Sequence, residues 1–193
     1  MTRFLLACTV FLPAVAIATG SQAAQAQDSG PKVGDMAPDF TVKGSTKDGL
    51  RSIHLQDFRG QTVVLAFFPK ARSSGCTAQL ESYRDQYSKL FNNGKGVAVI
   101  AISTDDDTVQ MNWARDKSFP VLFASDAQRT VGKQYDVLWN LVLTKLEKRV
   151  LFVVGPDGRV THIMRPFKEM VGDSYTELGA EVAKSLRSQA GKP

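Results

Sequence analysis

The chain has 193 residues, of which 43% are hydrophobic and 22% are charged, which is typical of one globular domain rather than a disordered or fibrous protein. The formal net charge is +5. Lysine and arginine are scattered along the chain without a basic block, so we do not expect nucleic acid as a partner.

The N-terminus has the pattern of a cleavable secretory signal peptide. A positively charged start is followed by an apolar stretch over 4–18 and by small residues up to Ala26. The apolar stretch is short and contains Pro13, which disfavours a permanent membrane span. We therefore predict a signal peptide over 1–26, a single folded domain over 27–193, and export, with the periplasm as the expected location.

The first half of the domain predicts a hairpin and then a buried strand. Alternating segments at 39–42 and 51–55 are typical of strands, and Asp48-Gly49 between them predicts a turn. The apolar, β-branched run at 62–68 is typical of a strand covered on both faces.

A helix is predicted from Cys76 to Phe91. Every third or fourth residue is apolar or aromatic, which defines one helical face: Leu80, Tyr83, Tyr87 and Leu90. Ser73 or Ser74 could cap its start, and an Asn-Asn-Gly sequence follows its end. The run at 97–102 predicts a second buried strand, which completes a βαβ unit.

Three consecutive acids at 105–107 follow this strand. They suit the first turn of a helix that continues through Val109 and Trp113, because that end of a helix carries a partial positive charge. The alternative interpretation is a metal-binding loop, which we rank lower because no aligned carboxylates or suitably spaced glycine accompany the acids. No metal or cofactor is predicted.

The last third of the chain predicts a strand and helix start within 119–126 and a hairpin over 149–164 with a turn at 155–158. A capping box of Ser174 and Glu177 predicts the start of the last helix. Its buried residues are expected to be Leu178, Val182 and Leu186. The whole pattern predicts an α/β domain with a mixed sheet and helices on both faces.

Cys76 is the only cysteine left once the signal peptide and Cys8 are removed. A single cysteine is commonly a small buried apolar residue, so its number alone favours a structural role. Its position favours a nucleophile, because it follows a buried strand and begins a helix, where free N–H groups stabilise a thiolate. The nearby Lys70 and Arg72 are either solvated loop charges or additional support for that thiolate.

The segment "FFPKARSSGCTAQLESYRD" resembles the active-site segment of the peroxiredoxins, and most closely the bacterioferritin-comigratory thiol-peroxidase branch. Pro69, Ser73 and Cys76 fit the family motif P-x-x-x-(T/S)-x-x-C. Similar blocks occur in the family's order: "GDMAPDFTV", "DFRGQTVVLAFFPK", "FPVLFASD" and "RVLFVVGPDGRV". The resemblance implies a thioredoxin-like fold with an N-terminal hairpin extension, and the reduction of hydrogen peroxide or organic hydroperoxides.

The resemblance also implies a role for each site residue. Cys76 matches the peroxidatic cysteine, and Ser73 matches the hydroxyl that hydrogen-bonds the peroxide and the thiolate. Pro69 matches the proline that shields the pocket. Arg149 matches the arginine that steadies the thiolate and the substrate oxygens, although by itself it could be an ordinary strand-edge cation. Gln79 also occurs at this place in the branch.

Two departures from the family pattern matter. Ser73-Ser74 stands where the family usually has Thr-Pro, which predicts a looser loop. Glu81 stands where this branch often has a resolving cysteine. We therefore predict a one-cysteine cycle in which an external thiol, or a thioredoxin- or glutaredoxin-like reductant, reduces the sulfenic acid of a monomeric or homodimeric enzyme.

A different class of function stays open from the sequence. Ser73 at the third position before Cys76 excludes a C-x-x-C oxidoreductase. The two histidines, His54 and His162, fit strands better than a copper site. The alternative is a non-catalytic or redox-sensing thioredoxin-fold binding module, in which the altered loop would be a decayed peroxidase site.

Overall fold

The computed structural model describes residues 30–139 and 146–190. Within these ranges seven strands form one sheet: β1 (Thr41–Thr46), β2 (Gly49–His54), β3 (Thr62–Phe67), β4 (Val97–Ser103), β5 (Leu122–Ser125), β6 (Val150–Val154) and β7 (Val160–Met164). The helices of the described residues are α1 (Ser74–Asp85), α2 (Tyr87–Phe91), α3 (Asp107–Lys117), α4 (Thr130–Gln134) and α5 (Gly172–Ala190), with short 3-10 turns at Leu55–Phe58 and Asn92–Gly94.

The strand order is β2-β1-β5-β4-β3-β6-β7, and the sheet is mixed. The pairs β3–β4 and β4–β5 are parallel, whereas β1–β2, β1–β5, β3–β6 and β6–β7 are antiparallel. The β1–β2 hairpin therefore extends one edge of the central sheet. This arrangement confirms the predicted thioredoxin-like fold with an N-terminal hairpin extension and a βαβ unit around α1.

The central strand β3 divides the hydrophobic core into two layers. Its alternate side chains point to opposite faces, as the period of a strand requires. Val64 and Ala66 join the layer under α1, α2, α3 and α5, while Val63, Leu65 and Phe67 join the layer under α4 and the N-terminal segment. Because all six residues of β3 are buried, the loop that follows it starts from a fixed strand end.

Several local predictions are wrong. The hairpin turn is formed by Lys47 and Asp48, since Gly49 already pairs with Thr46. The long helix predicted from Cys76 to Phe91 is two helices, α1 and α2, separated at Gln86, where the backbone leaves helical angles (φ −112°, ψ 20°).

The predicted capping box at the start of α5 is the third error. The helix begins at Gly172, so Ser174 is its third residue, and the Ser174 N–H donates to the Val171 carbonyl. The Glu177 carboxylate instead lies 2.9 Å from His162 Nε2. On the apolar face of α5, Leu178 and Val182 are buried as predicted, whereas Leu186 is only partly buried against the core.

The predicted signal peptide, including Cys8, lies outside the described residues. Within 30–139 and 146–190, none of the helices combines the length and apolar character that a membrane crossing needs.

Candidate active site

Cys76 is the third residue of α1 and lies just beyond the carboxyl end of β3. Its side chain is fully buried and belongs to the core layer that also contains Phe68 and Leu80. The first N–H groups of a helix have no partner within the helix, and the Ser73 side chain makes no capping hydrogen bond here. The sulfur lies among apolar core side chains at the positive end of α1.

Arg149 reaches Cys76 from the start of β6. Its Nη2 donates to Cys76 Sγ at 3.4 Å, across 73 residues of sequence. Its Nη1 donates to Gln79 Oε1, and its Nε lies 3.1 Å from Glu169 Oε2. Each guanidinium nitrogen has its own partner, and the side chain is only 12% exposed, so the cation is held in one orientation beside the sulfur.

Gln79 is itself held in place by a hydrogen bond to Tyr83. It lies one turn after Cys76 on α1, is fully buried, and donates from Nε2 to the Tyr83 hydroxyl at 2.9 Å. Burial strongly raises the pKa of Tyr83, with an opposing effect from the Gln79 hydrogen bond, so this hydroxyl stays neutral. A neutral Tyr83 accepts from Gln79, and the Gln79 oxygen remains turned toward Arg149.

Ser73 and Pro69 lie on the loop between β3 and α1. Ser73 has the extended backbone of a helix N-cap, and its carbonyl accepts from the Thr77 N–H. Its hydroxyl donates to the Lys70 carbonyl at 2.9 Å rather than to Cys76. Pro69 is partly exposed and lines a groove beside Arg149.

Lys70 and Arg72 both bind carboxylates away from the sulfur. Lys70 Nζ lies 3.2 Å from Asp105 Oδ1, and Arg72 Nη2 lies 2.5 Å from Asp116 Oδ2. Among the cations predicted near Cys76, Arg149 alone contacts its sulfur in the described part of the chain.

Asp105 holds the loop between β3 and α1 in place, a role that the sequence did not reveal. It is 8% exposed, and its Oδ2 accepts from the Ala71 N–H at 2.7 Å and from the Ser103 hydroxyl at 3.0 Å. The prediction that all three acids occupy a helix start is therefore wrong for Asp105. Asp106 is the N-cap of α3, and Asp107 is in its first turn.

Glu169 is the second site residue that sequence reasoning missed. It lies on the connection between β7 and α5, twenty residues beyond Arg149, and no local motif marks it. Only the folding of this connection over α1 brings its carboxylate to the guanidinium. By contrast, no cluster of three His, Cys, Asp or Glu side chains that could hold a metal ion occurs in 30–139 and 146–190.

A groove of about 630 Å³ opens beside Arg149. Its walls are mostly apolar and include Pro69, Phe167, Met170 and Val171, with Met170 77% exposed. The site therefore combines a buried thiol, one oriented cation and an adjoining apolar surface.

Comparison with known proteins gives consistent matches over most of the chain. A model of the AhpC/TSA family matches residues 33–163. The chain is 33% identical over 142 residues to peroxiredoxin Bcp of Escherichia coli, which covers 71% of this chain and 87% of that protein. Peroxidoxin BcpB of Mycobacterium tuberculosis is 28% identical, with a TM-score of 0.63 over 84% of this chain and 99% of that one. A mutant of PrxQ from Xylella fastidiosa is 20% identical and shares the fold, with a TM-score of 0.68 over 84% and 99% of the two chains.

Proposed function

Because the chain belongs to the AhpC/TSA family and is a thiol-dependent peroxidase, we propose that Cys76 is its peroxidatic nucleophile. The single observation that carries this assignment is the contact between Arg149 Nη2 and the buried Cys76 sulfur. A positive charge fixed beside a thiol favours the thiolate, which is the form that attacks peroxide.

The first step is displacement at oxygen. The Cys76 thiolate attacks one oxygen of the hydroperoxide, the S–O bond forms as the O–O bond breaks, and the other oxygen leaves as an alkoxide or hydroxide that takes up a proton. Cys76 becomes a sulfenic acid, and the peroxide is reduced to an alcohol or water. Arg149 and the free N–H groups at the start of α1 would stabilise the developing negative charge on the departing oxygen.

Ser73 and Pro69 complete the proposed pocket. The Ser73 hydroxyl, which now donates to Lys70, keeps oxygen lone pairs with which to accept from a bound peroxide, and rotation would let it donate to the peroxide instead. Pro69 shields the side of the pocket that faces the groove. Asp105 supports both residues by holding the backbone at Ala71.

The second step needs a thiol from outside the domain. Cys76 is the only cysteine among the described residues, so no internal partner is available there for its sulfenic acid. An external thiol attacks the sulfenic sulfur and releases water, and a second thiol then reduces the mixed disulfide. Because Cys76 is fully buried, this step requires the first turn of α1 to open, whereas a small peroxide needs much less movement.

The apolar groove favours organic hydroperoxides among the substrates. Pro69 and Met170 would contact an alkyl or aryl group whose peroxide oxygens face Cys76. Replacing Met170 with serine should raise KM for an aryl hydroperoxide several-fold and leave hydrogen peroxide unaffected. Equal changes in KM for both substrates would show that the groove is not part of the substrate site.

Export is the remaining part of the proposal, and the signal-like pattern over 1–26 supports it. The external reductant would then be a thiol protein or small thiol of the periplasm. Expression of the full chain, followed by mass measurement of the mature protein in the periplasmic fraction, tests this. A protein that keeps residue 1 and stays in the cytoplasm would contradict it.

The test of the activity is peroxide consumption with dithiothreitol as the reductant. The native protein should turn over, and the Cys76→Ser variant should not. Equal rates for the two proteins would favour the alternative, a thioredoxin-fold binding module without peroxidase chemistry.

A further inference from the structure

We propose that Glu169 is a positioning residue for the peroxidase reaction, acting through Arg149; this inference rests on the proposed role of Cys76. Its carboxylate lies 3.1 Å from Arg149 Nε, and both side chains are largely buried, at 24% and 12% exposure. Nε is the one guanidinium nitrogen that contacts neither Cys76 nor Gln79. The carboxylate adds an ion pair at this third nitrogen, so all three nitrogens of the guanidinium are held and its orientation beside the sulfur is restricted.

The backbone around Glu169 is held in place independently of its carboxylate. The Tyr175 hydroxyl donates to the Glu169 carbonyl at 2.7 Å. Two residues earlier, the Phe167 N–H donates to the Arg149 carbonyl at 3.0 Å, which ties the same connection to the start of β6. The backbone that carries the Glu169 carboxylate is therefore hydrogen-bonded to the backbone of Arg149, the residue that the carboxylate orients.

Gly75 makes room for this carboxylate. A Cβ atom at Gly75 would lie 2.5 Å from Glu169 Oε1 and 3.2 Å from Arg149 Nη2. Any side chain at 75 would thus push Glu169 away from the residue just before the nucleophile. The first turn of α1 and the connection before α5 therefore pack closely together at Gly75 and Glu169.

The charge of Glu169 also argues for positioning rather than thiolate activation. A negative charge near Cys76 opposes the thiolate and offsets part of the field of Arg149. The benefit of the pair therefore lies in geometry: Arg149 keeps one orientation before the peroxide arrives, and little reorganisation is needed at the transition state.

The experiment compares rates of Cys76 oxidation by stopped-flow tryptophan fluorescence in four variants. Glu169→Ala should slow oxidation roughly 10- to 100-fold. Glu169→Gln, which keeps an oxygen acceptor of the same size, should recover most of the rate. Gly75→Ala should be as slow as Glu169→Ala. It should be as stable in urea as the native protein, because only the flexible ends of Glu169 and Arg149 have to move. Glu177→Ala, an exposed acid of α5, is the matched control and should oxidise like the native protein.

A double-mutant cycle with Arg149→Lys separates positioning from a general structural effect. If Glu169 acts through Arg149, Glu169→Ala should cause little further loss once Arg149 is lysine. Full additivity of the two losses, or a native rate in Glu169→Ala, would overturn the inference while leaving the peroxidase assignment intact. A native protein that never oxidises at Cys76 would instead refute the proposed function itself.

Discussion

Replacing Glu147 with glutamine should stabilise the protein at neutral pH, and by more as the pH rises. Glu147 is fully buried, and neither of its oxygens has a hydrogen-bond donor within residues 30–139 and 146–190. Burial raises the pKa of Glu147 well above its usual range, and the nearby carboxylates of Asp126 and Asp105 raise it further. Asp126 accepts hydrogen bonds from the Val131 and Gly132 N–H groups, whereas Glu147 has no such donor. Of these two neighbouring acids, Glu147 is therefore the one expected to carry a proton.

The direction of the pH effect follows from this raised pKa. In the unfolded chain Glu147 loses its proton near pH 4.5, whereas in the folded protein it keeps that proton to higher pH. The stabilisation from the protonated form is complete below the unfolded pKa and is lost as the pH rises toward the folded pKa. Over that interval the native free energy of unfolding should fall by about 1.4 kcal/mol per pH unit because of this one group.

Glutamine keeps the size of Glu147 and cannot ionise, and its N–H₂ can donate to Asp126. The measurement is urea unfolding at pH 5, 6 and 7, followed by tryptophan fluorescence. The free energy of unfolding of Glu147→Gln, relative to that of the native protein, should increase at each step to higher pH. Glu81→Gln, which removes a partly exposed acid paired with Lys117, controls for the loss of one negative charge. A difference that does not change with pH would refute the buried, protonated state of Glu147.

Three further substitutions test the site. Arg149→Lys keeps the charge but loses the planar fork, so kcat/KM for peroxide should fall about 100-fold; a native value in steady-state assays would show that the fork is unnecessary. Asp105→Ala leaves the buried Ala71 N–H without its acceptor, so the free energy of unfolding should drop by about 2 kcal/mol and peroxidase activity with it; unchanged urea midpoint and activity would contradict the anchor role. Tyr83→Phe removes the acceptor for Gln79 and should cost about 1–3 kcal/mol in the same unfolding assay, whereas a neutral result would mean that Gln79 finds another partner.

The sequence correctly predicted those strands and helices in which the spacing of apolar residues follows the pattern of burial. The run at 62–68 is apolar throughout because β3 is covered on both faces, and the apolar spacing of α5 reflects its single buried face. The break at Gln86 was missed because Leu80 and Leu90 lie in the same core layer on both sides of it, and the apolar spacing continues. No glycine or proline marks the break.

The predicted site residues were found from a local motif together with a resemblance. Pro69, Ser73 and Cys76 lie within eight residues, and Arg149 was placed by the order of matching blocks. Asp105 and Glu169 could not be found in this way. Their contacts depend on how a strand end and a connection pack around the site, and acids at such positions are usually solvated.

Mass spectrometry of the protein after treatment with one equivalent of hydrogen peroxide tests the central claim most directly. The account predicts that the mass of one oxygen atom appears on Cys76, that it disappears when a thiol is added, and that Cys76→Ser acquires none. An unmodified Cys76 after peroxide treatment, or equal oxygen uptake by the Cys76→Ser variant, would contradict it.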